Sequence, residues 1–194
     1  MSKTSSAVRI LAGRWKGRRL DVPAGARPTS GRAREALFDI LRDSVVGIRV
    51  LDLFAGSGAI GLEALSRGSA EAVFVEGDRR ALDANLARLA PRDGEVRVLA
   101  KEARQAAADL ARAGERFELV FADPPYARGN SALPRSIGEL VGPGGRLVLQ
   151  TDSNASPPEI LGLERVSRRA YARNVFWFFE RTSARPLPRL GPEW

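Results

Sequence analysis

The tightest constraint on how this chain folds is a glycine turn set between an apolar run and a helical one. Val50-Leu51-Asp52-Leu53-Phe54 reads as a buried strand, Gly56-Ser57-Gly58-Ala59-Ile60-Gly61 follows, and Ile60–Arg67 has helical spacing closed by Gly68. Glycines at these intervals permit a tight strand-to-helix turn whose backbone a ligand can approach closely. The alternation continues downstream. Ala72–Val75 reads as a strand, Arg79–Leu89 as a helix and Val96–Ala100 as a strand. Ala103–Ala113 is an Ala-rich helix closed by Gly114, and Phe117–Ala122 is a strand. A Gly-interrupted helix is expected over Leu133–Val141, then a strand over Arg146–Thr151 opened by Gly144-Gly145. Strands alternating with short helices predict βαβ units and a parallel sheet covered on both faces. Leu163–Ala170 and Asn174–Arg181 are extended runs joined by a short turn, which predicts a terminal antiparallel hairpin. The expected fold is α/β and Rossmann-like: a mostly parallel seven-stranded sheet ending in that hairpin.

The N-terminal part is different. Val8-Arg9-Ile10-Leu11-Ala12 and Arg18-Arg19-Leu20-Asp21-Val22 flank Gly13-Arg14-Trp15-Lys16-Gly17, a small basic β-hairpin with Trp15 near its tip. Pro23–Pro28 is a linker. Ser30 caps a helix running from Gly31 to about Val46, with Ala33, Leu37, Ile40 and Leu41 on one face. The expected division is residues 1–28 for hairpin and linker, 29–184 for the α/β domain, and 185–194 for a flexible tail.

With no Cys and no His in 194 residues, disulfides, thiol nucleophiles, His-based triads and Cys/His zinc sites are excluded. Chemistry must run on carboxylates, backbone groups, hydroxyls and a bound cofactor, and no metal is expected. There is no run of eighteen apolar residues and no apolar core in Met1–Ser6, so neither a membrane span nor a secretory signal is expected; the chain reads as cytoplasmic. Residues 1–34 carry a net charge of +8 and residues 165–194 a net of +5, around a middle of net −5. Lys occurs only at positions 3, 16 and 101, so the basic character is almost all Arg. Arg forks onto phosphates and stacks on bases, which points to a polyanion such as nucleic acid.

Asp123-Pro124-Pro125-Tyr126 follows the apolar run Leu119–Ala122. Two prolines hold a stiff turn with free carbonyls, Asp123 is an anionic acceptor, and the Tyr126 ring is a stacking face. That combination suits a flat ring bearing an amine, such as a nucleobase; the plain alternative is a strand-ending turn with Tyr126 in the core. The glycine turn also fits a dinucleotide fingerprint, with Glu76 twenty residues after Gly56. Against that, Asp52 would repel a diphosphate, and there is little chain for a separate substrate region. A P-loop is excluded because no Gly-Lys-[Ser/Thr] follows. S-adenosylmethionine fits better, since its sulfonium and ammonium are attracted by carboxylates. Asp52 and the turn would face its methionine end, Glu76 its ribose hydroxyls, and Glu102 its adenine amine. Each acid also has a plain structural reading. Asp52 caps the turn, Glu76 pairs with Arg79 or Arg80, and Glu102 starts a helix. The expected cofactor-contacting set is Asp52, Phe54, Ala55, Gly56, Ser57, Gly58, Glu76, Gly77, Glu102 and Ala103.

With these motifs placed, the chain resembles the class I S-adenosylmethionine-dependent methyltransferases that modify exocyclic amines. More closely, it resembles the RsmD-type 16S rRNA (guanine-N2)-methyltransferases of bacteria. The stretches that carry the likeness are Arg9–Leu20, Arg27-Pro28-Thr29-Ser30 through Phe38, Leu51–Gly68 and Asp123–Tyr126. The N-terminal stretches are the specific ones, because many amine methyltransferases share the other two. The chain departs from the family's usual pattern at Gly77, at Glu102 (commonly Asp) and at Gln150 (often Glu).

The resemblance implies a guanine in small-subunit rRNA, presented within an assembling ribosomal particle. Asp123 and the Pro124 carbonyl would accept from its amine and Tyr126 would stack on the base. Arg14, Trp15, Lys16, Arg18 and Arg19, with Arg27 and Arg32, would hold the RNA. Two rival readings are a DNA adenine-N6 methyltransferase and a non-catalytic RNA-binding ribosome-assembly protein that keeps the fold.

Overall fold

The computed structural model describes residues 8–25, 29–125, 132–171 and 173–181. Two short strands, β1 (Val8–Arg9) and β2 (Arg19–Leu20), pair antiparallel around a 3-10 turn at Gly13–Trp15. Helix α1 (Gly31–Leu41) follows, capped by the Ser30 hydroxyl, which accepts from the Ala33 N–H at 3.1 Å. Then come β3 (Arg49–Asp52), α2 (Ala59–Ser66), β4 (Glu71–Val75), α3 (Arg80–Leu89), β5 (Val96–Leu99), α4 (Ala103–Arg112) and β6 (Phe117–Ala122). The chain continues through α5 (Ile137–Leu140), β7 (Val141–Asp152), β8 (Glu164–Tyr171) and β9 (Asn174–Glu180).

The large sheet has seven strands in the order β5-β4-β3-β6-β7-β9-β8. From β5 to β7 the pairings are parallel; β9 runs antiparallel to both β7 and β8. This is the expected α/β architecture. Alternate residues of each inner strand serve opposite faces. On β4, Val73 and Val75 join Ala106, Ala107 and Leu110 of α4, whereas Ala72 and Phe74 join Leu62 and Leu65 of α2 and Leu82 of α3. Helix α1 covers β6, β7 and β9 through Leu37, Phe38, Phe121, Val148, Phe176 and Phe178. Burying both faces explains why these strands are near-continuous apolar runs.

Two elements differ from the sequence expectation. The helix expected to reach Val46 stops at Leu41, where Arg42 turns to a φ of 44°, and the remainder tightens into a 3-10 turn over Arg42–Val45. The helix expected over Leu133–Val141 shrinks to α5, and β7 begins at Val141 rather than near Arg146. Glycines 142, 144 and 145 do not open the strand; they accommodate a register shift opposite Phe117 and Leu119.

The hairpin is welded to the sheet by backbone contacts. Glu63 of α2 is fully buried, and its carboxylate accepts from the N–H groups of Leu11 (2.7 Å) and Ala12 (3.0 Å) and from Arg67 Nε (2.8 Å). The buried Arg34 of α1 donates to the Arg9 carbonyl from the same neighbourhood. Burial lowers the Arg34 pKa from its ordinary value, and Glu63 opposes that shift. Ser66 accepts from the Trp15 N–H at 3.0 Å and donates to the Ala12 carbonyl at 2.5 Å. Gly13 has φ +77°, and a Cβ there would lie 1.7 Å from the Ser66 carbonyl oxygen, so only glycine lets the hairpin sit this close. Val8, Ile10 and Leu20 complete the join by entering the same apolar cluster as α2 and α3.

Removing the buried Glu63 carboxylate leaves two partly buried N–H donors unmet and Arg34 without its counter-charge, so Glu63→Ala should destabilise the protein by about 3–5 kcal/mol. Urea denaturation reads the loss, and amide hydrogen exchange should speed up first at Leu11 and Ala12. Unchanged protection at both amides would refute the clamp.

Candidate active-site cleft

Asp52 ends β3, Glu76 follows β4, Glu102 follows β5 and Asp123 follows β6. In a parallel sheet those positions share one edge. The strand order reverses direction between β3 and β6, the switch point at which such sheets open a crevice. Two adjoining clefts lie there, of about 790 and 730 Å³. The first is lined by Asp52, Phe54, Ala55, Gly56, Ser57, Glu76, Asp123 and Pro124, and the second by Phe54, Glu76, Gly77, Glu102 and Ala103. Phe54, Glu76, Asp78 and Pro125 belong to both walls, so the two form one trough.

The acids are held in different ways. Asp52 is buried and accepts from the Gly61 N–H at 3.1 Å, so it does cap the turn, as its plain structural reading requires, while still lining the cleft. Glu76 accepts from the Gly56 N–H at 2.7 Å and from the Asp78 N–H at 2.9 Å. It does not pair with the neighbouring arginines, because Arg79 binds Asp83 and Arg80 binds Asp78. Glu102 is exposed at the start of α4 and makes no side-chain cap. Gly58 lines neither cleft. It has φ +77°, and a Cβ there would meet Leu82 at 2.5 Å, so its glycine serves the turn and the packing of α2 on α3 rather than a ligand.

Sequence reading missed the support around Asp123. Thr29 donates to Gln150 Oε1 at 3.0 Å and lies 3.5 Å from Asp123 Oδ2. Gln150 Nε2 donates to the same Asp123 Oδ2 at 3.0 Å and contacts Asn174 Oδ1 at 3.3 Å. Gln150 and, at the 3.5 Å limit, Thr29 both meet Asp123 at Oδ2, and no described residue donates to Oδ1. Gln150 had shown in the sequence only as a departure from the family pattern. Asn85 was missed too: buried on α3, it accepts from the Asp21 N–H at 2.8 Å and donates to the carbonyls of Asp21 and Ser57, each at 2.9 Å.

Burial pushes Asp52 up to about 7, with the Gly61 N–H opposing the shift and the Glu76 charge adding to it. Asp123 also rises to about 7, chiefly through burial, then through the Asp52 charge, against the Thr29 hydrogen bond. Both carboxyls are harder to ionise in the folded chain than in the unfolded one. Their contribution to stability is therefore full below the ordinary carboxylate range and is lost as the pH rises through about 7. A cation in the cleft would reverse that loss.

The expected RNA-contacting residues divide. Lys16, Arg18, Arg19 and Arg32 are exposed. Arg14 is committed elsewhere: it forms a two-pronged ion pair with Glu95 at 2.7 and 2.6 Å and stacks 4.1 Å over the Trp15 ring. Trp15 is half-buried against the α2–α3 cluster. Arg27 and Tyr126 lie outside the described residues. Among the described residues no cluster of three or more acidic side chains is placed to hold a metal ion, and no helix is long and apolar enough to cross a membrane.

The chain is similar to several known proteins. The chain is 46% identical over 130 residues to Ribosomal RNA small subunit methyltransferase D of Escherichia coli (strain K12), covering 64% of this chain and 63% of that relative. It thus spans somewhat less than two thirds of that protein's length. It is 34% identical over 162 residues to Putative rRNA methyltransferase YlbH of Bacillus subtilis (strain 168), covering 80% of this chain and 88% of the relative. Among solved structures, the putative methyltransferase yhhF from Escherichia coli superposes with a TM-score of 0.75 at 33% identity, over 91% of this chain and 99% of that one. The model of the family described as "Conserved hypothetical protein 95" matches residues 8–180, and the chain belongs to that family.

Proposed function

We propose that this protein transfers a methyl group from S-adenosylmethionine to the exocyclic N2 amine of a guanine in 16S rRNA of the small ribosomal subunit. One observation carries the reading: Asp52 and Asp123, two acids drawn up to about 7, line a single cleft beside a glycine turn. The named relatives, one an rRNA small-subunit methyltransferase, support the reaction class.

The cleft fits a cationic cofactor without phosphates. Its floor is Asp52 and its side wall Glu76, whose carboxylates would repel a diphosphate and attract a sulfonium and an ammonium. Glu76 faces the turn through its bond to Gly56 and suits a pair of ribose hydroxyls. Glu102, Gly77 and Ala103 wall the further end, where an adenine would lie. When bound, S-adenosylmethionine supplies an electrophilic methyl group.

The protein's own part is positioning and charge. A guanine N2 lone pair is delocalised into the ring. Asp123 accepting one N–H and the Pro124 carbonyl accepting another would localise that pair and aim it. Alignment of this kind supplies much of the acceleration. Gln150 and Thr29 meet Asp123 at Oδ2, which leaves Oδ1 for the amine. As the amine loses its electron density it becomes acidic, and Asp123 is suited to take the proton because its pKa stands near neutrality. The resemblance assigns Tyr126 to stack on the base, a contact that would contribute about 1–3 kcal/mol. A paired guanine must first be flipped out. Residues 29–184 carry out this chemistry, while Lys16, Arg18 and Arg19 of the hairpin grip RNA phosphates without reading sequence. The setting is the cytoplasm, on rRNA in an assembling small subunit.

Two measurements test the reading. Cofactor affinity should fall as the pH drops from 8 to 5.5, by up to about tenfold per pH unit for each carboxylate that must give up its proton. Calorimetry in buffers of different ionisation heat should detect protons released on binding below pH 7. Affinity that stays level across that range rules out the two acids as the cation's counter-charges. Secondly, Asp123→Ala should lower methyl transfer to small-subunit rRNA by on the order of a hundredfold or more while the cofactor still binds. Nuclease digestion and mass analysis of N2-methylguanosine read the product. Near-normal transfer by the variant, or methylation of DNA adenine instead, would defeat the assignment.

A further inference from the structure

The C-terminal hairpin carries a second basic feature that the cleft chemistry does not use. β8 is the outermost strand of the sheet, and along it stand Arg165, Arg168 and Arg169, with Arg173 in the turn beyond. A one-residue bulge at Val166 alters the ordinary alternation. Arg165 lies opposite Phe179 and Arg168 opposite Trp177, so two arginines three positions apart share the Trp177 face. Their guanidinium carbons lie 5.4 and 5.3 Å from the centre of the Trp177 ring. The indole is itself fixed, because its Nε1 donates to Thr151 Oγ1 at 3.0 Å.

This arrangement has a cost. Two like charges are drawn to one ring, and no ion pair among the described residues includes either of them, although Glu159 lies in the same cleft wall as Arg165. Nearby Glu180 is engaged by Arg146. Both guanidiniums lie within cation–π range of the indole and both residues are exposed, which leaves N–H groups for phosphate oxygens. The location is also suited to a substrate strand. Thr151, which fixes the indole, directly follows Gln150, so the Trp177 face lies on the opposite side of the sheet from the Gln150–Asp123 side. β8 lies three strand spacings from β6, on the order of 15 Å, a span that RNA flanking a nucleotide in the cleft can cover around the free edge of β8.

From these observations we infer that the Arg165–Arg168–Trp177 face is a second RNA-binding surface, which takes the phosphodiester backbone flanking the target nucleotide. This rests on the RNA-substrate reading above. The competing explanation is that charged residues merely protect an open sheet edge from pairing with another chain. Glutamate protects an edge as well as arginine does, so charge reversal separates the two.

The experiment measures binding of labelled oligouridine and of a 16S rRNA transcript across a salt series, for the parent protein and for R165E/R168E. Melting temperature and S-adenosylmethionine affinity are followed alongside. With two phosphate-binding cations removed, affinity at 0.1 M salt should fall by about tenfold or more, and the slope of log affinity against log salt should shrink by about 1.5. Cofactor binding and melting should stay as in the parent. Should the double reversal fail to fold, R165Q/R168Q is read in the same way. A variant that keeps the parent's affinity and salt slope overturns this surface and leaves the enzymatic reading intact. A parent protein with no salt-dependent RNA binding overturns both.

Discussion

Everything in the cleft depends on holding Asp52 and Asp123 close together at the ends of neighbouring strands, the first buried and the second half-buried. Burial alone draws both towards neutrality, and nearby charge adds to it. Such a pair persists only because each oxygen that matters has a donor. Gly61 donates to Asp52, while Thr29 and Gln150 serve one oxygen of Asp123. The donors come from three separate elements, a helix start, a linker and a strand end, and Gln150 in turn donates to Asn174 Oδ1 of the terminal hairpin. The cleft is thus a meeting point of the whole fold rather than a property of one loop. A bound cation would relieve its electrostatic strain.

How far the sequence revealed this varied with the range of the interaction. The strand-end acids were legible because βα alternation fixes where strands end, and parallel pairing then puts those ends on one edge. The sheet and its terminal hairpin were legible for the same reason. Contacts that close over long separations were not. Thr29 and Gln150 are 121 positions apart, and Arg14 and Glu95 are 81 apart, so no local pattern announces either pair. Arg14 had the composition of a phosphate ligand and was taken by an acid of the α3–β5 region instead. Glu63 sat inside an apolar helical run and gave no sign that it would hold the hairpin backbone. Gly58 matched a ligand-binding pattern for a reason of packing.

These long-range contacts also sort charge around the cleft. Glu63, Ser66 and Asn85 hold the hairpin by its backbone, which leaves Lys16, Arg18 and Arg19 exposed, Arg18 with one long bond to the Arg88 carbonyl at 3.4 Å. Asn85 reaches from the hairpin's exit to the Ser57 carbonyl, so the basic element and the glycine turn move as one piece. On the other side of the switch point, the β9 indole organises the arginines of β8. Two cationic surfaces therefore flank an acidic trough. A polyanion is attracted to the flanks and repelled from the middle, where Asp52, Glu76 and Asp123 lie. On the function proposed above, the part of a nucleotide that would enter such a trough is the uncharged base, and with it the amine assigned to Asp123. Under that proposal the same field would draw a cationic methyl donor in and keep phosphates out, so one distribution of charge would select both reactants.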